Sequence, residues 1–202
     1  EKVAYLTFDD GPDNKNTPAV LDILKANGIH ATFYVTGQMA QENPAVLKRI
    51  FAEGHAIGNH SYDHNYKRLY KSKEDFLADM QQSEEIIFNI LGVRPLIIRA
   101  PGGTVGMFGN DFYEAVNLAG YVPHDWNVST EDATAKRPNA AREVQFVDRM
   151  TKGRLKDDMA LVLMHSCAGK EQTVKALQGI INTLKAKGYR FGVVTPITPQ
   201  PW

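Results

Sequence analysis

The chain has 202 residues, 43% hydrophobic and 23% charged, which suits one soluble globular domain with a sizeable core. Its 23 basic and 23 acidic side chains cancel, so no overall basic field exists to draw in nucleic acid or an anionic membrane; a neutral or locally charged partner is expected. Cys167 is the only cysteine, which excludes an internal disulfide and leaves the redox compartment open.

From the N-terminus, the apolar run 3–8 predicts a strand that ends on Asp9-Asp10 and turns at Gly11-Pro12. A helix is expected over 17–27, a strand over 31–35, a helix over 44–53 and a short strand over 56–58, followed by His60-Ser61-Tyr62-Asp63-His64. Then come a helix over 73–91, strands over 96–99 and 121–124 around a helix over 111–118, a helix over 140–152, a strand over 160–164, a helix over 171–187 and a strand over 190–194. Gly28, Gly54, Gly92, Gly120 and Gly188 stand where helix C-caps need a glycine. Such alternation means a parallel sheet in an α/β fold. About seven βα units in 202 residues fall short of the roughly 250 of an eight-unit barrel, so a distorted or incomplete (β/α) barrel is expected. No repeat, low-complexity tract or linker divides residues 1–202, which predicts a single domain; the polar stretch 132–142, with Pro138, predicts a surface loop.

Two adjacent carboxylates at a strand end would repel each other and lose hydration, so Asp9-Asp10 needs a partner. A divalent cation would neutralise one carboxylate and leave the other free to accept a proton. His60 and His64, four apart, would lie on one face of a helix or helical turn and share an ion with Asp10, giving two imidazoles, one carboxylate and an open position for water. Asp9 is then left as the base. Taken singly, aspartates before Gly-Pro are ordinary turn formers, and an isolated HxxxH is an ordinary solvated helix face. Their joint occurrence at strand ends is what points to a site.

The motifs Thr7-Phe8-Asp9-Asp10-Gly11-Pro12, His60-Ser61-Tyr62-Asp63-His64, Arg99-Ala100-Pro101-Gly102-Gly103 and Leu163-Met164-His165 resemble, in order and spacing, the polysaccharide deacetylases of carbohydrate esterase family four, the NodB-homology domain. The resemblance implies a (β/α)7-like fold and a metal-dependent hydrolase. It pairs Arg99 with the catalytic Asp9, makes His165 the general acid and gives the backbone N–H of Gly102, after Pro101, to the oxyanion. It also lines the acetyl-methyl pocket with Leu163. Without it, Arg99, at the end of strand 96–99, is expected at the same rim, with a surface arginine the lesser reading, while His165 reads as a core histidine. The family's Asp-x-x-Asp-Trp motif is degraded here to Ser129-Thr130-Glu131-Asp132-Ala133. Asp132 can still orient His165, but the groove tryptophan is lost, which predicts a more open groove or one walled by another aromatic such as Trp126.

By that resemblance the expected activity is removal of N-acetyl groups from a GlcNAc-containing polymer, peptidoglycan ahead of chitin-type oligomers. The alternatives are an O-acetyl xylan esterase with the same site and a non-catalytic glycan-binding module. The expected cofactor is one divalent ion, Zn2+ by default, with Co2+ or Ni2+ accepted by similar ligands. An N-acetylated polysaccharide is the expected partner, with no nucleic acid, and the chain is expected to be a monomer. No run approaches the roughly 18 apolar residues of a membrane span, and no basic leader precedes an apolar stretch. The sequence starts abruptly at Glu1, so an extracellular or cell-envelope location with a signal or anchor outside this segment is expected. Cys167, two residues after His165, invites a thiol mechanism, but a small, partly buried residue is the expected reading.

Overall fold

The computed structural model describes residues 1–202. Eight parallel strands form one curled sheet: β1 (Val3–Asp9), β2 (Thr32–Val35), β3 (Ala56–Asn59), β4 (Ile97–Ile98), β5 (Val122–Pro123), β6 (Val128–Ser129), β7 (Met159–His165) and β8 (Arg190–Gly192). Their order is β5-β4-β3-β2-β1-β7-β6, with β8 on the first residues of β1. No ladder joins β5 to β6, so the sheet is an incomplete, distorted (β/α) barrel, as the sequence predicts. The helices are α1 (Asn16–Asn27), α2 (Gly37–Glu42), α3 (Pro44–Ala52), α4 (Tyr66–Leu69), α5 (Lys73–Leu91), α6 (Asn110–Leu118), α7 (Ala140–Met150) and α8 (Glu171–Ala186). None is long and apolar enough to cross a membrane.

Local chemistry explains these elements. All seven residues of β7 are buried, the continuous apolar run of a parallel strand covered on both faces. Along β1 the side chains alternate: Ala4, Leu6 and Phe8 join the main core with Leu21, Leu24, Leu177 and Ile180 from the helices, while Tyr5 packs on the smaller cluster around Tyr34, Ile97 and Leu161. In α8 the buried residues Thr173, Ala176, Leu177, Ile180, Ile181 and Leu184 repeat at helical spacing and form one stripe. Ser72 caps α5 by accepting the Asp75 N–H at 3.0 Å, and Gly28 and Gly92 close α1 and α5 in the left-handed conformation.

Several expectations change. The eighth strand, β6, has only two residues, too few to read as a strand without its partner β7. Helices α2 and α4 are likewise too short for a periodic signal. The expected helical turn at His60 and His64 is instead an irregular loop after β3, because Ser61 and His64 take positive φ (71° and 60°), which no α-helix tolerates. The surface loop expected over 132–142 ends earlier, at Asn139, whose side chain caps α7 by accepting the Arg142 N–H at 3.0 Å.

Candidate active site

Register brings the strand-end motifs together. In the β1–β7 ladder Asp9 lies opposite His165 and Thr7 opposite Leu163; in the β3–β4 pair Asn59 lies opposite Ile98, so His60 and Arg99 follow side by side. Asp9 is 2% exposed and Arg99 fully buried, which corrects the expectation of an arginine at the rim. The guanidinium donates from Nη1 to Asp9 Oδ1 (2.9 Å) and Thr7 Oγ1 (2.6 Å), from Nε to the His124 carbonyl (3.0 Å) and from Nη2 to the Asp125 carbonyl (2.9 Å). It also stacks 4.2 Å from the Tyr34 ring centroid. An ion pair this deep persists because nearly every donor is satisfied. Asp9 Oδ1 is thereby occupied, and Oδ2 remains toward His60, 3.6 Å from Nε2.

Asp10, His60 and His64 each offer a ligand atom within 4.8 Å of the others. His60 Nε2 is 3.3 Å and His64 Nε2 3.7 Å from Asp10 Oδ1, a buried oxygen with no hydrogen-bond partner. Ligand atoms of a tetrahedral zinc site with bonds of about 2.1 Å stand roughly 3.4 Å apart, so the donor set fits a divalent ion. His60 Nδ1 contacts the Arg99 carbonyl at 2.6 Å; the proton belongs on Nδ1, which turns Nε2 to the ligand position. Asp10 and His64 both have positive φ (70° and 60°), a strain of the kind held at functional sites. Burial opposes the charged form of Asp10, but the adjacent His60, with His165 and His64, holds its carboxyl well below the usual range. Burial also pulls His60 down, yet Asp9 and Asp10 outweigh it and raise its pKa; in half-buried His64 desolvation and the His60 charge prevail and lower it.

Across the cleft, His165 Nδ1 meets Asp132 Oδ1 at 2.7 Å, and the His165 N–H donates to Asp132 Oδ2 at 2.8 Å. That pairing leaves Nε2 toward the cleft, 3.9 Å from Asp10 Oδ2. Burial disfavours charge on His165, but Asp132, Asp9 and Asp10 outweigh it and raise its pKa. The cleft, about 360 Å³, is lined by Asp9, Asp10, His60, His64 and His165, with Gly102, Leu163, Trp126, Ala133 and Tyr66 forming its walls. Gly102 occupies the third position of a turn closed by Gly103 N–H on the Ala100 carbonyl (2.8 Å), with Pro101 second and φ +80° at Gly102, a type II arrangement that favours glycine. The Gly102 N–H has no partner within the protein. Pro101 itself is buried behind the wall, its carbonyl accepting the Tyr70 hydroxyl at 2.6 Å.

Sequence reasoning missed Tyr66, whose ring stands edge-on to His64 at 5.1 Å and whose hydroxyl approaches Gly102. An aromatic two residues after HxxxH was the available signal. It also missed Thr7, although strand alternation puts Thr7 on the same face as Asp9. Thr173, 3.0 Å from Asp132 Oδ2, left no sequence signal because it lies 41 residues away on α8. Cys167 is partly buried and burial pushes its thiol up to about 12, so it offers no nucleophile at neutral pH.

Comparison with known proteins gives the same answer. The family model described as polysaccharide deacetylase matches residues 1–124. A peptidoglycan-N-acetylglucosamine deacetylase of Bacillus cereus is 36% identical over 191 residues, covering 94% of this chain and 68% of the relative. The crystal structure of a polysaccharide deacetylase from Bacillus cereus superposes with a TM-score of 0.89 at 33% identity, covering 100% of this chain and 97% of that one. A carbohydrate esterase family four esterase from Streptococcus mutans also gives 0.89, at 32% identity over 96% and 86% of the two chains. Sequence, fold and cleft agree, and the chain belongs to the polysaccharide deacetylases of carbohydrate esterase family four, enzymes that remove acetyl groups from polysaccharides.

Proposed function

We propose that residues 1–202 form one catalytic domain that hydrolyses N-acetyl groups on a GlcNAc-containing polysaccharide, peptidoglycan ahead of chitin-type oligomers. The observation that carries this reading is the β1–β7 register, which sets Asp9 beside His165 across a cleft that also holds Asp10, His60 and His64. The similarity to a peptidoglycan-N-acetylglucosamine deacetylase supports the substrate class, and such a substrate implies action in the cell envelope.

In this reading Asp10, His60 and His64 hold one divalent ion, zinc by default, with cobalt or nickel accepted by the same donors. When bound, that ion supplies Lewis-acid polarisation of the acetyl carbonyl and a lowered pKa for water. Asp9 accepts the water proton on Oδ2, because Arg99 engages Oδ1. The unpaired Gly102 N–H donates to the developing oxyanion; losing one such donor typically costs about 3 to 4 kcal/mol of barrier. His165, oriented by Asp132, delivers a proton from Nε2 to the departing amine. Leu163 faces the acetyl methyl group, and Trp126 and Tyr66 bracket the sugar.

Purified protein incubated with N-acetylglucosamine oligomers or peptidoglycan is expected to release acetate, and a chelator to stop it. Asp9→Asn and His60→Ala should each lower the rate by at least about a thousandfold, the scale of losing an essential base or ligand. Absence of acetate from every N-acetylated glycan, with metal in excess, overturns the proposal.

A further inference from the structure

We infer that a groove beside the catalytic cleft binds carboxylates carried along the polymer, so that the enzyme grips an anionic glycan strand more tightly than a neutral one; this rests on the polysaccharide reading above. The groove, about 750 Å³, follows loop 131–139 and the exposed side of α7, lined by Lys136, Arg137, Arg142 and Arg149 around Phe146 and Met150. Of the nine arginines in the chain, Arg49, Arg68, Arg94, Arg99, Arg154 and Arg190 pair with carboxylates. The three that do not, Arg137, Arg142 and Arg149, all line this groove. The formal charge of the whole chain is zero, so the concentration is local.

Glu131 is the only carboxylate in the lining, and Asp148 on the same helix is engaged by Lys187 at 2.9 Å. Arg142 and Arg149 stand 5.7 and 5.1 Å from the Phe146 ring centroid, which holds two guanidinium groups on one aromatic support. The N-terminus of α7 adds partial positive charge at the same end. Ala133 lines the catalytic cleft and the next residue, Thr134, lines the groove, so the two adjoin at this loop, within reach of one polymer. Guanidinium forks match carboxylates, such as the free stem-peptide carboxylates of peptidoglycan, whereas a chitin-type strand has none to offer.

The test uses the full chain and the double variant Arg142→Gln/Arg149→Gln, both positions exposed and outside the catalytic machinery, with unchanged circular dichroism as the folding control. Sedimentation is measured with cell-wall sacculi stripped of phosphate polymers, with the same sacculi after conversion of carboxyls to methylamides, and with chitin. The wild type should bind stripped sacculi about tenfold more tightly than amidated ones, an advantage lost in the variant and weakened by salt, with chitin binding equal for both proteins. On a soluble carboxylate-bearing fragment the variant should raise KM about tenfold at unchanged kcat. Equal binding of native and amidated sacculi, binding lost on stripping phosphate, or an equal loss on chitin each overturns the inference. Acetate release from chitin oligomers, followed in parallel, reports on the deacetylase reading independently.

Discussion

Glu143 on α7 is 1% exposed, and its Oε2 has no hydrogen-bond partner. Burial, reinforced by the Asp132 charge, pushes its carboxyl up to about 8 from an ordinary 4.5. The Thr173 hydroxyl lies 3.3 Å from Glu143 Oε1 and 3.0 Å from Asp132 Oδ2, and with a single proton it can donate to only one of them. A neutral Glu143 leaves that proton to Asp132, the partner of His165. The raised pKa also fixes a sign. Between about 4.5 and 8 the unfolded chain loses this proton while the folded chain keeps it, so the contribution of Glu143 to stability falls as pH rises through that window. Glu143→Gln removes the dependence. In urea unfolding at a series of pH values, the variant should gain on the wild type from pH 5 to 8 and hold its advantage above. A constant difference across the series would show that Glu143 ionises normally.

At the scale of elements, legibility followed length and pattern. Strands β1 and β7 were readable because each is itself a long apolar run, and α8 because its buried stripe repeats at 3.6 residues. The two-residue β6 exists only through its ladder to β7, and the loop carrying His60 and His64 depends on remote groups: Tyr62 N–H donates to Asp79 Oδ1 at 2.7 Å, and Gly37 N–H to the Ser61 carbonyl at 2.9 Å. Spacing alone could not separate that loop from a helical turn. One position ties strand packing to the site. Gly58 in β3 pairs with Tyr34 in β2, and a Cβ there would lie 2.3 Å from the ring that supports the Arg99 guanidinium. Gly58→Ala must therefore displace a fully buried tyrosine, at a cost of about 1–3 kcal/mol in stability. Activity should fall with it, since Arg99 holds Asp9. Chemical denaturation and acetate release test both effects; an unchanged midpoint would mean that the sheet yields at β3 without strain.

For the molecule as a whole, the site was legible where local motifs carry it and hidden where distant segments meet. Asp9, Asp10, His60, His64, Arg99 and His165 each stand in or just beyond a strand end, and the curl of one parallel sheet gathers them. Thr173 and Glu143, and the arginines of the groove, are brought near the cleft by helices packed in three dimensions, which no spacing announces.

Asp10 follows β1, and His60 and His64 follow β3, so an ion bound by all three ties two elements together and binds the folded chain in preference to the unfolded one. Mass action then predicts thermal stabilisation: about 2.7 kcal/mol at free metal one hundredfold above Kd. At roughly 2–4 °C per kcal/mol for a chain of this size, Tm should rise by about 5–11 °C on adding zinc and fall back with chelator. Asp10→Asn and His64→Ala, each removing one donor, should cut the rise severalfold. Asp132→Asn, whose side chain lies outside the donor set, should keep most of it. Calorimetric scans of the four proteins with and without metal, free of any need for turnover, decide the matter. Equal shifts in all four would place the ion elsewhere, and no shift in the wild type would leave Asp10 Oδ1 a buried oxygen without a partner.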